Sequence, residues 1–171
     1  MFYERILREL AKRKIKYLIV GGVAVNLQGF FRATGDLDIF LSLDRSNLKK
    51  FIEAVKSLGL QPRIPVPLED LQDEGKRKKW ISEKGLKVFS LFNPRDPFET
   101  TDVMLLSPIS FDKAYKSREK FSLGDFKINV ISVKDLLVMK KHAGRDKDKM
   151  DIRELNRILE IGRARKTKTR K

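Results

Sequence analysis

The residues able to do chemistry gather in a few short stretches. Asp36-Leu37-Asp38-Ile39-Phe40-Leu41 alternates polar or bulky positions with aliphatic ones. Successive side chains of a strand point to opposite faces, so Asp36, Asp38 and Phe40 share one face and Leu37, Ile39 and Leu41 the other. Two carboxylates this close repel each other, and such a pair suits a divalent cation, above all hard, oxygen-preferring Mg²⁺. Thirteen residues separate this pair from Gly21-Gly22, which ends an apolar run just before a short helix. Glycine lets backbone N–H groups come close to a phosphate, and a helix start adds positive partial charge. A third acid, Asp102, opens the apolar run Val103-Met104-Leu105-Leu106, where a charge without a role is costly. If its strand lies beside 36–43, Asp102 joins the pair as a ligand or as general base toward an incoming hydroxyl; Glu99 and Asp96 are its nearest competitors. A phosphate cradle beside metal-binding acids is equipment for an in-line displacement at phosphorus. The plainer reading is a Gly-Gly turn with two acids on an exposed edge strand.

Other residues could serve such a site. Arg32 and Thr34 precede the acid pair on a loop and could contact phosphates, or simply shape a turn. Lys140 lies on or beside the apolar face of a helix, three residues after Leu137 and four after Leu136. It could reach a triphosphate as a point charge, or snorkel with a buried stem. Arg145, Asp148 and Asp151 surround the start of the last helix, and the acids read mainly as structural groups favouring its dipole. Trp80, among Lys76–Lys79, reads as a loop anchor rather than a base-stacking platform. The single His142 leaves no histidine pair for a metal.

These groups need elements to position them. Phe2, Ile6, Leu7 and Leu10 predict a helix over 2–14. Residues 16–20 read as a strand, Val23 to Leu27 as a short helix and 36–43 as a second strand. A helix capped by Asp44 or Ser46 follows, with Leu48, Phe51, Ile52 and Val55 on one face and Gly59 past its end. Residues 61–79, broken by Pro62, Pro65 and Pro67, read as a loop with a short helix. Strands are expected at 87–92 and 101–106, paired as a hairpin across 93–97, and again on both sides of Gly124-Asp125. Helices over about 133–143 and 147–161 end the pattern. The expected fold is a mixed α/β (α+β) domain over 1–161, a small mixed sheet flanked by helices. Residues 162–171 read as a basic, frayed tail.

The chain has 171 residues, which suits one domain. It has no cysteine, which excludes a disulfide scaffold, a thiolate zinc site and a thiol nucleophile. Its net charge of +15 suits phosphate-bearing partners, and without the six cations of the tail the body keeps +9. The apolar run 17–27 is too short to span a bilayer and makes a poor signal peptide, so no membrane partner and a cytoplasmic location are expected.

The segment from Gly21-Gly22 through Arg32-Ala33-Thr34-Gly35-Asp36-Leu37-Asp38-Ile39 resembles the nucleotidyltransferase superfamily of the DNA polymerase β type. The later segment from Asp135 to Ile152, with Lys140-Lys141-His142-Ala143-Gly144-Arg145 at its centre, is similar to a second signature of a narrower group, which includes abortive-infection nucleotidyltransferase toxins. The resemblance spans about residues 15–43 and 99–160. It implies a polymerase β-like fold and transfer of a nucleoside monophosphate from an NTP to an acceptor. It also implies two Mg²⁺ ions held by the acids matching Asp36, Asp38 and Asp102. Gly21, Gly22, Arg32, Thr34 and Lys140 are the matching nucleotide-binding candidates. Many members carry Gly-Ser where this chain has Gly21-Gly22, which removes one phosphate contact. Charge favours RNA, such as tRNA, as acceptor; a protein acceptor and an antitoxin partner are equally compatible. The competing class is a non-catalytic RNA-binding protein on the same fold.

Overall fold

The computed structural model describes residues 2–168. Seven strands form one mixed sheet: β1 (Tyr17–Ile19), β2 (Leu37–Leu41), β3 (Gln61–Pro62), β4 (Val88–Asn93), β5 (Asp96–Met104), β6 (Glu119–Leu123) and β7 (Phe126–Val130). Their order is β3-β4-β5-β2-β1-β7-β6. β2 runs antiparallel to β1 and parallel to β5, while β1 runs parallel to β7. Two hairpins, β4–β5 and β6–β7, complete the edges, and β3 pairs with β4.

The sheet places Leu37, Ile39 and Leu41 of β2 in the core, together with Val103 of β5 and Phe89 and Leu91 of β4. This is the aliphatic face expected from alternation. The opposite face carries Asp38, Asp102 and, opposite Asp102 on β4, Ser90. Phe40 shares that face but is buried, because the Phe111 ring meets it edge-on at 5.2 Å. Phe111 begins α5 (Phe111–Lys116), a helix too short and too polar to stand out in the sequence. It roofs the far end of the face and leaves the end with the acids partly open.

The remaining helices are α1 (Phe2–Lys12), α2 (Gly21–Leu27), α3 (Arg45–Ser57), α4 (Glu74–Lys84), α6 (Val133–Ala143) and α7 (Asp146–Lys168). The Asp44 carboxylate caps α3 by accepting from the Asn47 N–H at 2.9 Å. Ser132 caps α6, and Gly144 ends it in the left-handed region with φ 61°.

Four expectations are corrected. The strand begins at Leu37, so Asp36 lies ahead of it on the loop. The helix after β1 starts at Gly21 rather than Val23. The segment 61–79 is not mainly loop: a 3-10 helix (Leu68–Gln72) leads into α4, whose cap is the Asp73 carboxylate accepting from Lys76 N–H. Its polarity hid it, since Arg77 and Trp80 alone among its residues are buried; Trp80 stacks on Phe89 inside the core rather than anchoring a loop. Finally, α7 runs on to Lys168, past the expected end at 161. The tail reading of 162–171 thus meets a helix over its first seven residues, and residues 169–171 lie outside the described ones.

Candidate active site

β2 and β5 lie in parallel register with Asp38 opposite Asp102. Two carboxylates far apart in sequence therefore stand side by side on one face. Burial pushes the Asp38 carboxyl above the usual aspartate range, the neighbouring Asp102 adds to this and Asp36 adds a little more. The Gly22 N–H, which donates to Asp38, and the charge of Lys140 act the other way. Asp102 Oδ1 is buried without a hydrogen-bond partner among the described residues. A buried carboxylate oxygen left unpaired is costly; with a second acid beside it, it forms an all-oxygen donor set of the kind a hard cation satisfies.

Asp36 is exposed, one residue ahead of β2. Among the described residues no group of three His, Cys, Asp or Glu side chains stands close enough to hold a metal ion. The structure thus brings Asp38 and Asp102 together and leaves Asp36 adjacent on the loop. Tyr3 of α1 reaches that loop, its hydroxyl donating to the Gly35 carbonyl. Burial and the nearby Asp36 and Asp38 charges raise the Tyr3 phenol pKa. Nothing in the sequence pointed to Tyr3, because it comes from a helix separated from the acids by β1 and α2.

Gly21 and Gly22 are required by space. Gly21 has φ 62°, and a Cβ there would lie 1.9 Å from Asp38 Oδ2. A Cβ on Gly22 would lie 2.3 Å from Thr34 Oγ1 and 3.3 Å from Arg32 Nη1. The double glycine lets the first turn of α2 lie directly against the Asp38 carboxylate, the Thr34 hydroxyl and the Arg32 guanidinium.

Arg32 is fixed from the other end of the chain. Its Nε and Nη2 bond the two carboxylate oxygens of Asp151 at 2.7 and 2.8 Å, and Nη1 donates to the Ala33 carbonyl at 3.0 Å. Lys140 Nζ sits 2.8 Å from Asp151 and 2.9 Å from Asp148. Arg145 closes the cluster on Asp148 at 2.7 Å. Both carboxylates are fully buried, and the Lys140 side chain is 4% exposed. The partner cations hold both carboxyls below the usual aspartate range against the opposing effect of burial. The Lys140 ammonium is therefore engaged by two aspartates and faces Asp38 only through its field. The acids of α7, read from sequence as structural groups at a helix start, prove to be ion-pair partners of two nucleotide-binding candidates.

The chain belongs to the family described as "Nucleotidyltransferase of unknown function (DUF6036)", which matches residues 4–162. No curated protein matches the sequence. The fold is similar to that of the lincosamide antibiotic adenylyltransferase LnuA bound to lincomycin, with a TM-score of 0.59, 19% identity, and coverage of 92% of this chain and 96% of that one. It is also similar to ANT(2")-Ia in complex with adenylyl-2"-tobramycin, with a TM-score of 0.55, 13% identity, and coverage of 95% of each chain.

Proposed function

We propose that this chain transfers a nucleoside monophosphate from an NTP to a hydroxyl of a macromolecular acceptor, with Mg²⁺ as cofactor. The observation that carries the proposal is the in-register pair Asp38–Asp102, one oxygen of which is buried and unpaired. Asp38 and Asp102, with Asp36 from the adjoining loop, would hold Mg²⁺; the family resemblance implies two ions. Bound there, the metal would supply charge neutralisation at the triphosphate and polarise the phosphorus under attack.

The chain's own residues do the rest. Thr34 and Arg32, crowded onto Gly22, orient the phosphates. Lys140, held by Asp148 and Asp151, adds a fixed positive charge behind Asp38. The acceptor oxygen forms a bond to the α-phosphorus, the α–β phosphoanhydride bond breaks and pyrophosphate leaves. Asp102 takes the hydroxyl proton as general base through its other carboxylate oxygen. One solved relative holds an adenylylated aminoglycoside, a polycation that calls for acids around the acceptor position. Beside Asp102 this chain instead places Ser90, and then Phe92 with the Arg63 guanidinium 5.4 Å from its ring centre. That lining favours RNA, with a protein side chain as second acceptor.

The test is transfer of label from each α-phosphate-labelled NTP, with Mg²⁺ and cell lysate as acceptor source, beside the Asp36→Ala/Asp38→Ala double variant. Acid-dependent label removed by RNase is the expected result, and label removed by protease assigns a protein acceptor. RNA binding without acid-dependent label from any NTP overturns the enzyme reading in favour of a binding protein. Growth arrest on induced expression, lost in the same double variant, tests a role as the toxin of a toxin–antitoxin pair.

A further inference from the structure

β5 extends beyond the start of β2. Thr101 is opposite Leu37, so the five residues before Thr101 overhang the site together with the turn that joins β4 to β5. The overhang is held in place: Arg63 Nη2 donates to Thr100 Oγ1 at 3.2 Å and to the Pro97 carbonyl at 3.4 Å. Phe98 lies four residues before Asp102, in the stretch of β5 where the register with β4 shifts, and is 90% exposed. A ring this exposed, on the strand that carries Asp102, is a surface for stacking.

Behind the overhang lies a cleft of about 390 Å³ between α1, the end of α3 and the hairpin turn. That volume falls within the range of small-ligand sites, roughly 300–1,000 Å³. Arg5, Lys56 and Arg95 line it with Ser57, Gly59 and Asn93, and no acid does. Lys56 is paired with Glu69, while among the described residues the Arg5 and Arg95 guanidinium groups have no side-chain partner. The end of α3 contributes about half a negative charge, less than the two unpaired guanidinium groups. Arginine forks suit phosphate oxygens, and their planes stack on bases.

Arg95 is seven residues from Asp102 along the hairpin, about 23 Å at the usual strand rise of roughly 3.3 Å per residue. A polynucleotide whose end lies at Asp102 can span a distance of that order and reach Arg95. The order along the strand is acid pair, exposed ring, cation cleft, which matches chain end, base and phosphodiester.

Resting on the reading of the acids as a nucleotidyl-transfer site, we infer that Phe98 and the Arg5–Lys56–Arg95 cleft form the docking track for a single-stranded RNA acceptor. Phe98 stacks a base, and Arg5 and Arg95 bind backbone phosphate. The experiment is fluorescence anisotropy with a labelled single-stranded RNA dodecamer and a labelled dinucleotide over a salt series, with NTP binding measured separately by equilibrium dialysis. The variants are Arg5→Glu/Arg95→Glu and Phe98→Ala, each checked for an unchanged melting temperature. The native protein is expected to prefer the dodecamer. The double variant should bind it at least about tenfold more weakly and with a salt slope lower by about 1.4, at roughly 0.7 per phosphate. Phe98→Ala should weaken binding about fivefold or more, and neither variant should change NTP binding. Equal dodecamer binding by native and double-variant proteins overturns the track, as does native protein that prefers neither RNA. Because binding is read without turnover, failure of the transfer chemistry would appear in the labelling assay and not here.

Discussion

At the scale of single residues, Asp38 is the most informative group. Its carboxyl titrates high in the folded chain because of burial and the neighbouring acids. A raised carboxyl contributes stability that is full below the unfolded value of about 3.9 and is lost as pH rises through the folded value. Asp38→Asn should therefore raise the metal-free melting temperature at pH 7, with the gain vanishing near pH 4. Mg²⁺ should stabilise the native chain by mass action and leave the variant unmoved; scanning calorimetry with and without Mg²⁺ reads both. Asp151 behaves oppositely. Its depressed carboxyl supplies stability present above about pH 3.9 and lost as pH falls through the folded value. Asp151→Ala leaves Lys140 buried beside a single carboxylate and frees Arg32. Removing one member of a buried pair costs about 3–5 kcal/mol, so urea denaturation should show a loss of that order. Asp148 and Asp151 were visible in the sequence as acids at a helix start. Their burial was not, because their partners Arg32 and Lys140 come from other elements.

At the scale of elements, the first turn of α2 depends on two missing side chains. Gly22→Ala would push a Cβ into Thr34 Oγ1, so it should destabilise the chain by about 1–3 kcal/mol, as overpacking does. In the Thr34→Gly background, which removes the Thr34 Cβ at 2.9 Å as well as the hydroxyl, much of that loss should disappear. A double-mutant cycle by chemical denaturation would then give an interaction energy well away from zero. Gly21→Ala has no such relief, since its φ of 62° disfavours any side chain and its neighbour is the Asp38 carboxylate itself. These close approaches show how far the fold was legible. Elements with strong periodicity or clear caps, such as β2, α3 and α6, were readable to within a residue or two. The polar α4 and the one-and-a-half-turn α5 were not, because contacts with Phe89 and Phe40 rather than their own patterns hold them. The pairing of Asp38 with Asp102 was legible only as a condition on strand order, and the parallel register of β2 and β5 meets it.

At the scale of the whole molecule, the dominant quantity is charge. Ten residues at the end carry six of the cations behind the net +15. Ile161 is half-exposed, and Gly162 and Ala164 are exposed. Truncation after Ile161 should leave the melting temperature nearly unchanged. The same truncation should lower the affinity for polyanions and flatten its salt dependence, which heparin elution and RNA anisotropy would measure. No helix among the described residues is long and apolar enough to cross a membrane.

The contact between Arg32 and Asp151 spans 119 positions, and this sets an order of events during synthesis. Chains emerge N-terminus first. The strand bearing Asp38, its glycine turn and Asp102 are all outside the ribosome while Asp151 is still unmade. Until α7 appears, Arg32 has no carboxylate to hold it and Lys140 has no partner in the interior. A truncated product of aborted translation therefore carries all three acids yet lacks the clamp that shapes their surroundings. The surroundings of the acids are therefore complete only once α7, with Asp148 and Asp151, has been made.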